Sequence, residues 1–281
     1  MDINTCVMQC CIPEEGTSHF FGLTEERWSS LRGKSFWITG GGTGFGYAMA
    51  YAVLSAGATV FISGRRESKL REAMELFSVA GLDITNCHCV VMDVRSQSSI
   101  DAACEYVRTK CTSLNGLVHS AGLPGAIGSS TPLQNADTDN WQRVMDTNVR
   151  GPWLLTRSIF SHLALALSPK VLFITSGAGW GSTPGVGVYN VSKAALNSLG
   201  HSMAQEYALN YPQVDIQMNI LVPGEAKSEM NRDGKDSPFT VVSMFLILLS
   251  YPKGGPNGRF FHRDGRHLRF GDTHAYPHKL I

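Results

Sequence analysis

Ser35-Phe36-Trp37-Ile38-Thr39-Gly40-Gly41-Gly42-Thr43-Gly44-Phe45-Gly46 is the stretch that decides how this chain folds. A short apolar run ends in a glycine cluster, and residues 48–55 continue as a helix of small and apolar side chains. Glycines at such a turn let the backbone reverse sharply and approach a ligand closely. The helix that follows presents its first amides and the positive end of its dipole to whatever lies in the turn. Strand, glycine-rich turn and helix in this order predict a pyrophosphate cradle at Gly40, Gly42, Thr43, Gly44, Phe45 and Gly46.

The pattern repeats on both sides of the turn. Apolar runs recur at 59–62, 88–92, 117–119, 171–175, 216–221 and 259–262. Amphipathic segments lie between the early ones: 67–79, with Leu70, Met74 and Phe77 on one face, and 98–111. Short, fully apolar strands alternating with helices predict an α/β fold, a Rossmann-like, doubly wound, seven-stranded parallel sheet with helices on both faces. No linker divides it, so residues 32–265 are expected to form a single domain. Residues 1–31 form an N-terminal extension, with a possible short helix from Thr24, and 266–281 a tail. Ligands should bind at the carboxyl ends of the strands.

Composition narrows the function classes. The 281 residues carry a formal net charge of +1, which gives no case for a nucleic-acid or membrane-surface partner. No signal-like leader is apparent, and the apolar stretch 239–249 is too short to span a bilayer. The seven cysteines form no disulfide framework and suit reduced thiols in the cytoplasm. Cys6, Cys10, Cys11 and His19 lack paired CxxC spacing, and no metal site is expected.

Two further groups of residues carry chemistry. The second strand runs into Ser63-Gly64-Arg65-Arg66 with no acidic residue to take a ribose 2′-hydroxyl. Arg65 and Arg66 suit a 2′-phosphate, hence NADP with NAD possible, or else they are a solvated helix start. Asp93, after the third strand, can accept from an adenine amino group or act as a turn residue. Tyr189 and Lys193 lie four apart, on one side of a helix if a helix starts there. An ammonium near a phenol favours the phenolate and makes the tyrosine a usable acid/base. Ser176, at the end of the fifth run, can hydrogen-bond a substrate oxygen or cap a turn.

The ordered set Thr39-Gly40, Gly44, Gly46, Asp93, Asn148, Ser176, Tyr189, Lys193 and Pro223-Gly224 resembles the short-chain dehydrogenase/reductase family, in its compact single-domain form. The resemblance covers roughly residues 32–265. It implies an NAD(P)-dependent oxidoreductase that interconverts a secondary alcohol and a ketone, assembled as a homodimer or homotetramer. It implies Tyr189 as acid/base, Lys193 on the nicotinamide ribose, Ser176 on the substrate oxygen, and Asn148 kinking its helix and positioning a water. It also implies cofactor contacts from Val94, Ser120, Ala121, Gly122, Pro223, Gly224 and Ser228. His119-Ser120 departs from the family's usual asparagines, and Asp264-Gly265-Arg266 from its usual ending.

Charges in Glu225–Ser237, among them Lys227, Arg232, Glu229 and Asp236, suggest a small polar substrate such as a sugar or sugar phosphate, unless they are solvated loop. Trp180 is the one large side chain in the other loop, 177–188. The competing class is a non-catalytic dinucleotide-binding sensor or scaffold of the same fold.

Overall fold

The computed structural model describes Pro13 and residues 20–125, 132–181 and 184–268. Its first helix, α1 (Glu25–Ser29), begins where Thr24 accepts a hydrogen bond from the Arg27 amide. Strands β1 (Ser35–Thr39), β2 (Thr59–Gly64), β3 (Cys87–Val91) and β4 (Gly116–His119) alternate with α2 (Gly44–Ser55), α3 (Glu67–Val79) and α4 (Gln97–Lys110). Then come α5 (Thr138–Met145), α6 (Gly151–Leu163), β5 (Lys170–Ile174), α7 (Val188–Asn210), β6 (Gln217–Val222), α8 (Val242–Leu249), β7 (Phe260–His262) and β8 (His267–Leu268).

Among the described residues the sheet has the order β3-β2-β1-β4-β5-β6-β7-β8. All neighbours are parallel except β7 and β8. The seven parallel strands are those expected. The eighth is an addition: Gly265 takes a positive φ of 88°, the chain reverses, and two residues beyond the expected domain end pair with Phe260 and Phe261.

The central strands are apolar on both sides because each side is covered. On β1, Phe36 and Ile38 face one core and Trp37 the other; on β2, Val60 and Ile62 oppose Phe61; on β5, Leu172 and Ile174 oppose Val171 and Phe173. Helices α2, α3 and α8 fill the first core, and α4, α6 and α7 the second. In α3 the buried side chains are Leu70, Ala73 and Phe77, one stripe at helical spacing, with Met74 at its edge. Residues 20–31 join the first core: Leu23, Trp28 and Leu31 are buried there, and Phe21 stacks on Phe239 at 6.5 Å.

Strand order reverses between β1 and β4. The crevice over their carboxyl ends is where a doubly wound sheet takes its ligand.

Candidate active site

The floor of that crevice is set by Thr39, the last residue of β1. Its hydroxyl donates to the Val118 carbonyl at 3.3 Å and accepts from the amides of Ser120 and Ala121 at 3.1 and 3.0 Å. One side chain thus ties the turn after β1 to the turn after β4. Gly40 has φ +68°, and a Cβ there would sit 2.9 Å from the Ala121 backbone. A Cβ on Gly46 would run into the Gly40 carbonyl oxygen. These two glycines thus let the turn close directly against the β4 loop and the start of α2.

The start of α2 has no side-chain cap from Thr43 and no acidic residue in its first turn. Uncapped amides beside a glycine cradle fit an anionic group such as a pyrophosphate. Phe45 packs partly into the core, and Gly42 approaches the backbone of Lys69.

The residues expected to take adenosine gather at the same edge of the sheet. Arg66 pairs with Glu229 at 2.6 Å, and Lys69 reaches the same carboxylate at 3.8 Å. Asp93 is gripped by Arg95, both its oxygens receiving the guanidinium; this holds its carboxyl below the usual range, with Arg65 contributing attraction. Val94 is buried against Gly151.

On the other side of the crevice, Tyr189 and Lys193 occupy the first turns of α7 and Ser176 lies two residues beyond β5. The Ser176 hydroxyl caps the turn that follows it, accepting from the Ala178 amide at 3.2 Å, and hydrogen-bonds with Tyr189. The Lys193 Nζ stands 5.5 Å from the centre of the Tyr189 ring and donates to the Ile174 carbonyl at 2.9 Å. Burial pushes the Lys193 ammonium down to about 8. Burial also pushes the Tyr189 phenol up, an effect that the Ser176 bond only partly offsets. The expectation that the ammonium brings the phenol down is thus corrected. The cation is itself desolvated, and desolvation of the phenolate dominates.

Asn148 sits in a π-helical turn, Asp146–Arg150, between α5 and α6, which is the kink expected of it. Its side chain is fully engaged: Oδ1 accepts from the Leu123 amide at 2.7 Å, and Nδ2 donates to the Leu123 carbonyl at 2.9 Å and the Ser192 hydroxyl at 3.0 Å. A Cβ on Gly122 would lie 3.5 Å from Asn148 Oδ1 and 3.7 Å from Lys193 Nζ, so this glycine marks where the two meet. His119, in place of an asparagine, is buried and bonded through Nε2 to the Thr156 hydroxyl at 2.7 Å; burial drives its pKa down to about 3.

Beyond β6, Gly224 has φ +74°. Ser228 forms a tight turn with Asn231, its Cβ 3.4 Å from where a Cβ on Gly44 would be. Several residues of this region were missed by sequence reasoning. Arg263 lies against Gly224 and clamps the loop 225–237 by bonds to Asp236 at 2.6 Å and the Glu225 carbonyl at 3.2 Å, and to Thr240 just beyond it at 2.8 Å. The charges that suggested a polar substrate are partly spent here: Glu229 on Arg66 and Lys69, Asp236 on Arg263. The only signal for such pairs was opposite charge in distant segments.

Among the described residues no three His, Cys, Asp or Glu side chains cluster to hold a metal, and no helix is long and apolar enough to cross a membrane. Cys6, Cys10, Cys11, His19, His274 and His278 lie outside the described residues.

Fold and site together define a doubly wound nucleotide-binding protein with a Tyr–Lys–Ser cluster at the strand ends, its lysine buried. The model of the short chain dehydrogenase family matches residues 34–238, and the chain belongs to that family. The human protein named dehydrogenase/reductase SDR family member 2, mitochondrial, is 30% identical over 196 residues, which are 69% of this chain and 66% of that one. The match thus falls just short of two thirds of that relative. A short chain dehydrogenase from Pseudomonas syringae superposes with a TM-score of 0.74 at 26% identity, covering 83% of this chain and 96% of the other. One from Shigella flexneri, complexed with NADP, gives 0.73 at 22% identity, covering 84% and 99%.

Proposed function

We propose that the protein is an NADP(H)-dependent oxidoreductase that interconverts a ketone and a secondary alcohol, with Tyr189 as acid/base. The observation that carries this reading is the convergence of Ser176 and Lys193 on Tyr189 beneath an uncapped, glycine-lined cradle. The NADP bound to the Shigella flexneri relative supports it, as do Arg65, Arg66 and Lys69 beside the expected ribose position.

The nicotinamide, when bound, supplies or accepts the hydride. The chain's own residues handle the proton. In the reductive direction the Tyr189 hydroxyl donates its proton to the carbonyl oxygen as that oxygen gains charge, and the Ser176 hydroxyl holds the same oxygen in line. A phenol pushed upward by burial keeps its proton at neutral pH, which suits donation. Lys193 would hold the nicotinamide ribose, and its own value of about 8 leaves it able to resupply the proton. Asn148 braces the β4 loop against α7 and keeps the Tyr189 turn in place. Gly40, Gly42, Thr43, Gly44, Phe45, Gly46, Asp93, Val94, Ser120, Ala121, Gly122, Pro223, Gly224 and Ser228 would line the dinucleotide.

The charges of the loop 225–237 favour a small polar substrate such as a sugar as the finer form of this reading. We also propose a homodimer or homotetramer. A largely apolar depression of about 310 Å³ framed by Met145, Val149, Trp153 and Leu199, with Asp146 and Arg150 at its edge, supports self-association. The free thiols Cys87, Cys89, Cys104 and Cys111 support a cytoplasmic setting.

The test is Tyr189→Phe. It should keep NADPH binding, read by nicotinamide fluorescence, and lose ketone reduction by about 10²–10⁴-fold. A variant with unchanged turnover overturns the assignment of Tyr189. Wild-type protein that binds neither NADPH nor NADH overturns the oxidoreductase.

A further inference from the structure

Tyr189, Lys193 and Asn197 stand four residues apart on α7 and so share one side of the helix. That side grips the end of β5. Lys193 takes the last residue of the strand, donating to the Ile174 carbonyl at 2.9 Å. One turn further along, Asn197 takes the segment that follows at two points. Its Oδ1 accepts from the Thr175 hydroxyl at 2.5 Å, and its Nδ2 donates to the Gly179 carbonyl at 3.5 Å. Ser176 lies between those two anchors.

Asn197 is fully buried and Thr175 nearly so. Asparagine is a modest helix former, and burying its amide costs free energy unless the amide is bonded. What it offers that an apolar side chain lacks is an acceptor for one end of the turn 175–179 and a donor for the other. The turn is pressed against the helix: a Cβ on Gly179 would come 2.7 Å from Asn197 Nδ2 and 3.0 Å from the Lys193 carbonyl oxygen. Within the turn the Ser176 hydroxyl accepts from the Ala178 amide at 3.2 Å, so where the turn goes the hydroxyl goes.

We propose that Asn197 is a positioning residue of the active site: with the Thr175 hydroxyl it fixes the turn that presents Ser176 to Tyr189. The proposal rests on the oxidoreductase reading above and deepens it, since Asn197 acts through Ser176 and not on the substrate. A reacting group misplaced by about 1 Å can cost on the order of 10²-fold in rate. The dinucleotide cradle, built on β1 and α2, does not depend on this anchor.

The experiment uses the full chain with NADPH and two small ketones, cyclohexanone and 2,3-butanedione. Asn197→Ala and Thr175→Val should each lower kcat about 10- to 100-fold, with KM and NADPH binding changed by less than about threefold. Thr175→Ser keeps the hydroxyl and should stay within about threefold of the wild type. In a Ser176→Ala background, Asn197→Ala should cost less than about twofold more, because the group it positions is already gone. A second readout needs no turnover. In protein labelled with 13Cζ-tyrosine, the Tyr189 resonance is the one lost in Tyr189→Phe. Ser176→Ala should shift it by removing the hydrogen bond, Asn197→Ala should shift it in the same direction, and the double variant should add nothing.

Losses that multiply in the double variant, Thr175→Ser as slow as Thr175→Val, or a Tyr189 resonance unmoved by Asn197→Ala each overturn the proposal and leave the oxidoreductase standing. If Asn197→Ala does not fold, the contrast between Thr175→Val and Thr175→Ser decides in its place. If neither ketone is reduced although NADPH binds, the oxidoreductase reading loses its support, and the resonance of Tyr189 still decides whether Asn197 sets its contact with Ser176.

Discussion

Arg66, just beyond β2, and Glu229, in the loop beyond β6, meet at 2.6 Å across the edge of the proposed cofactor site. The pair draws the loop 225–237 over the glycine-rich turn, where Ser228 approaches Gly44. Glu229 then occupies the cation that a 2′-phosphate needs and repels the phosphate itself. Both groups are about half-exposed, so the pair is worth little by itself. We expect Glu229→Gln to tighten NADPH about two- to fivefold and to leave NADH unchanged, with the gain shrinking at high salt. Fluorescence titration of both coenzymes at two ionic strengths checks this. An equal change for both would place the effect on the loop and not on the phosphate.

Gly46 tests the cradle from the steric side. A Cβ at this position meets the Gly40 carbonyl oxygen, which is backbone and cannot swing aside. Gly46→Ala must push the turn and the start of α2 apart. The expected cost is about 1–3 kcal/mol, read as a lowered Tm, together with loss of NADPH binding. Gly81→Ala, at φ +81° but with nothing within 4 Å of its Cβ, is the control: it should lose some stability through backbone strain and bind NADPH normally.

What was legible in the sequence, and what was not, follows from the range of the interactions. The strands β1 to β6 and the helix 67–79 show themselves because burial on two faces, or on one stripe, leaves a local period in the residues. Tyr189, Lys193 and Ser176 could be placed together because each stands at a strand end or helix start, and the topology of a doubly wound sheet brings those ends to one edge. The burial of Trp28 and Leu31 was not visible, since a five-residue helix has too few turns to show a period. Arg263 on Asp236, and Glu229 on Arg66, join segments far apart in the chain and leave no local trace. The upward push on Tyr189 depends on how deeply it is packed, which is a tertiary property.

His119 gives a prediction in acid. Its folded value is about 3, against about 6.5 in the unfolded chain, because the ring is buried as the neutral form. As pH falls below about 6.5 the unfolded chain takes the proton first, so this group withdraws stability progressively until pH reaches about 3. Between pH 7.5 and 4.5 the loss amounts to roughly 2–3 kcal/mol. His119→Asn should be less stable at pH 7.5, having lost the stacking on Phe173 and the fit to Thr156. Its stability should nonetheless fall by that much less over the same interval, measured by urea unfolding. A parallel fall in both proteins would show that His119 is not the titrating group.

Lys193 sets stability against function. Burial lowers it from 10.5 to about 8, so at neutral pH the folded protein carries a desolvated charge that the unfolded chain holds in water. This penalty is complete below about 8. It fades as pH rises from about 8 toward 10.5, where the folded state has released its proton and the unfolded state still holds it. Removing the ammonium relieves the penalty and sacrifices the bond to the Ile174 carbonyl, which offsets part of the gain. Lys193→Met is therefore expected to be more stable than the wild type at pH 7, by roughly 1–3 kcal/mol. The two stability curves should converge by pH 10. Because the buried thiols and tyrosines titrate alike in both proteins, the difference between the curves isolates this one group. The same variant should reduce ketone turnover by at least about 10²-fold. A variant less stable at pH 7, with a difference that does not change up to pH 10, would mean that the folded site already compensates the charge. The proton supply assigned to Lys193 would then need another group.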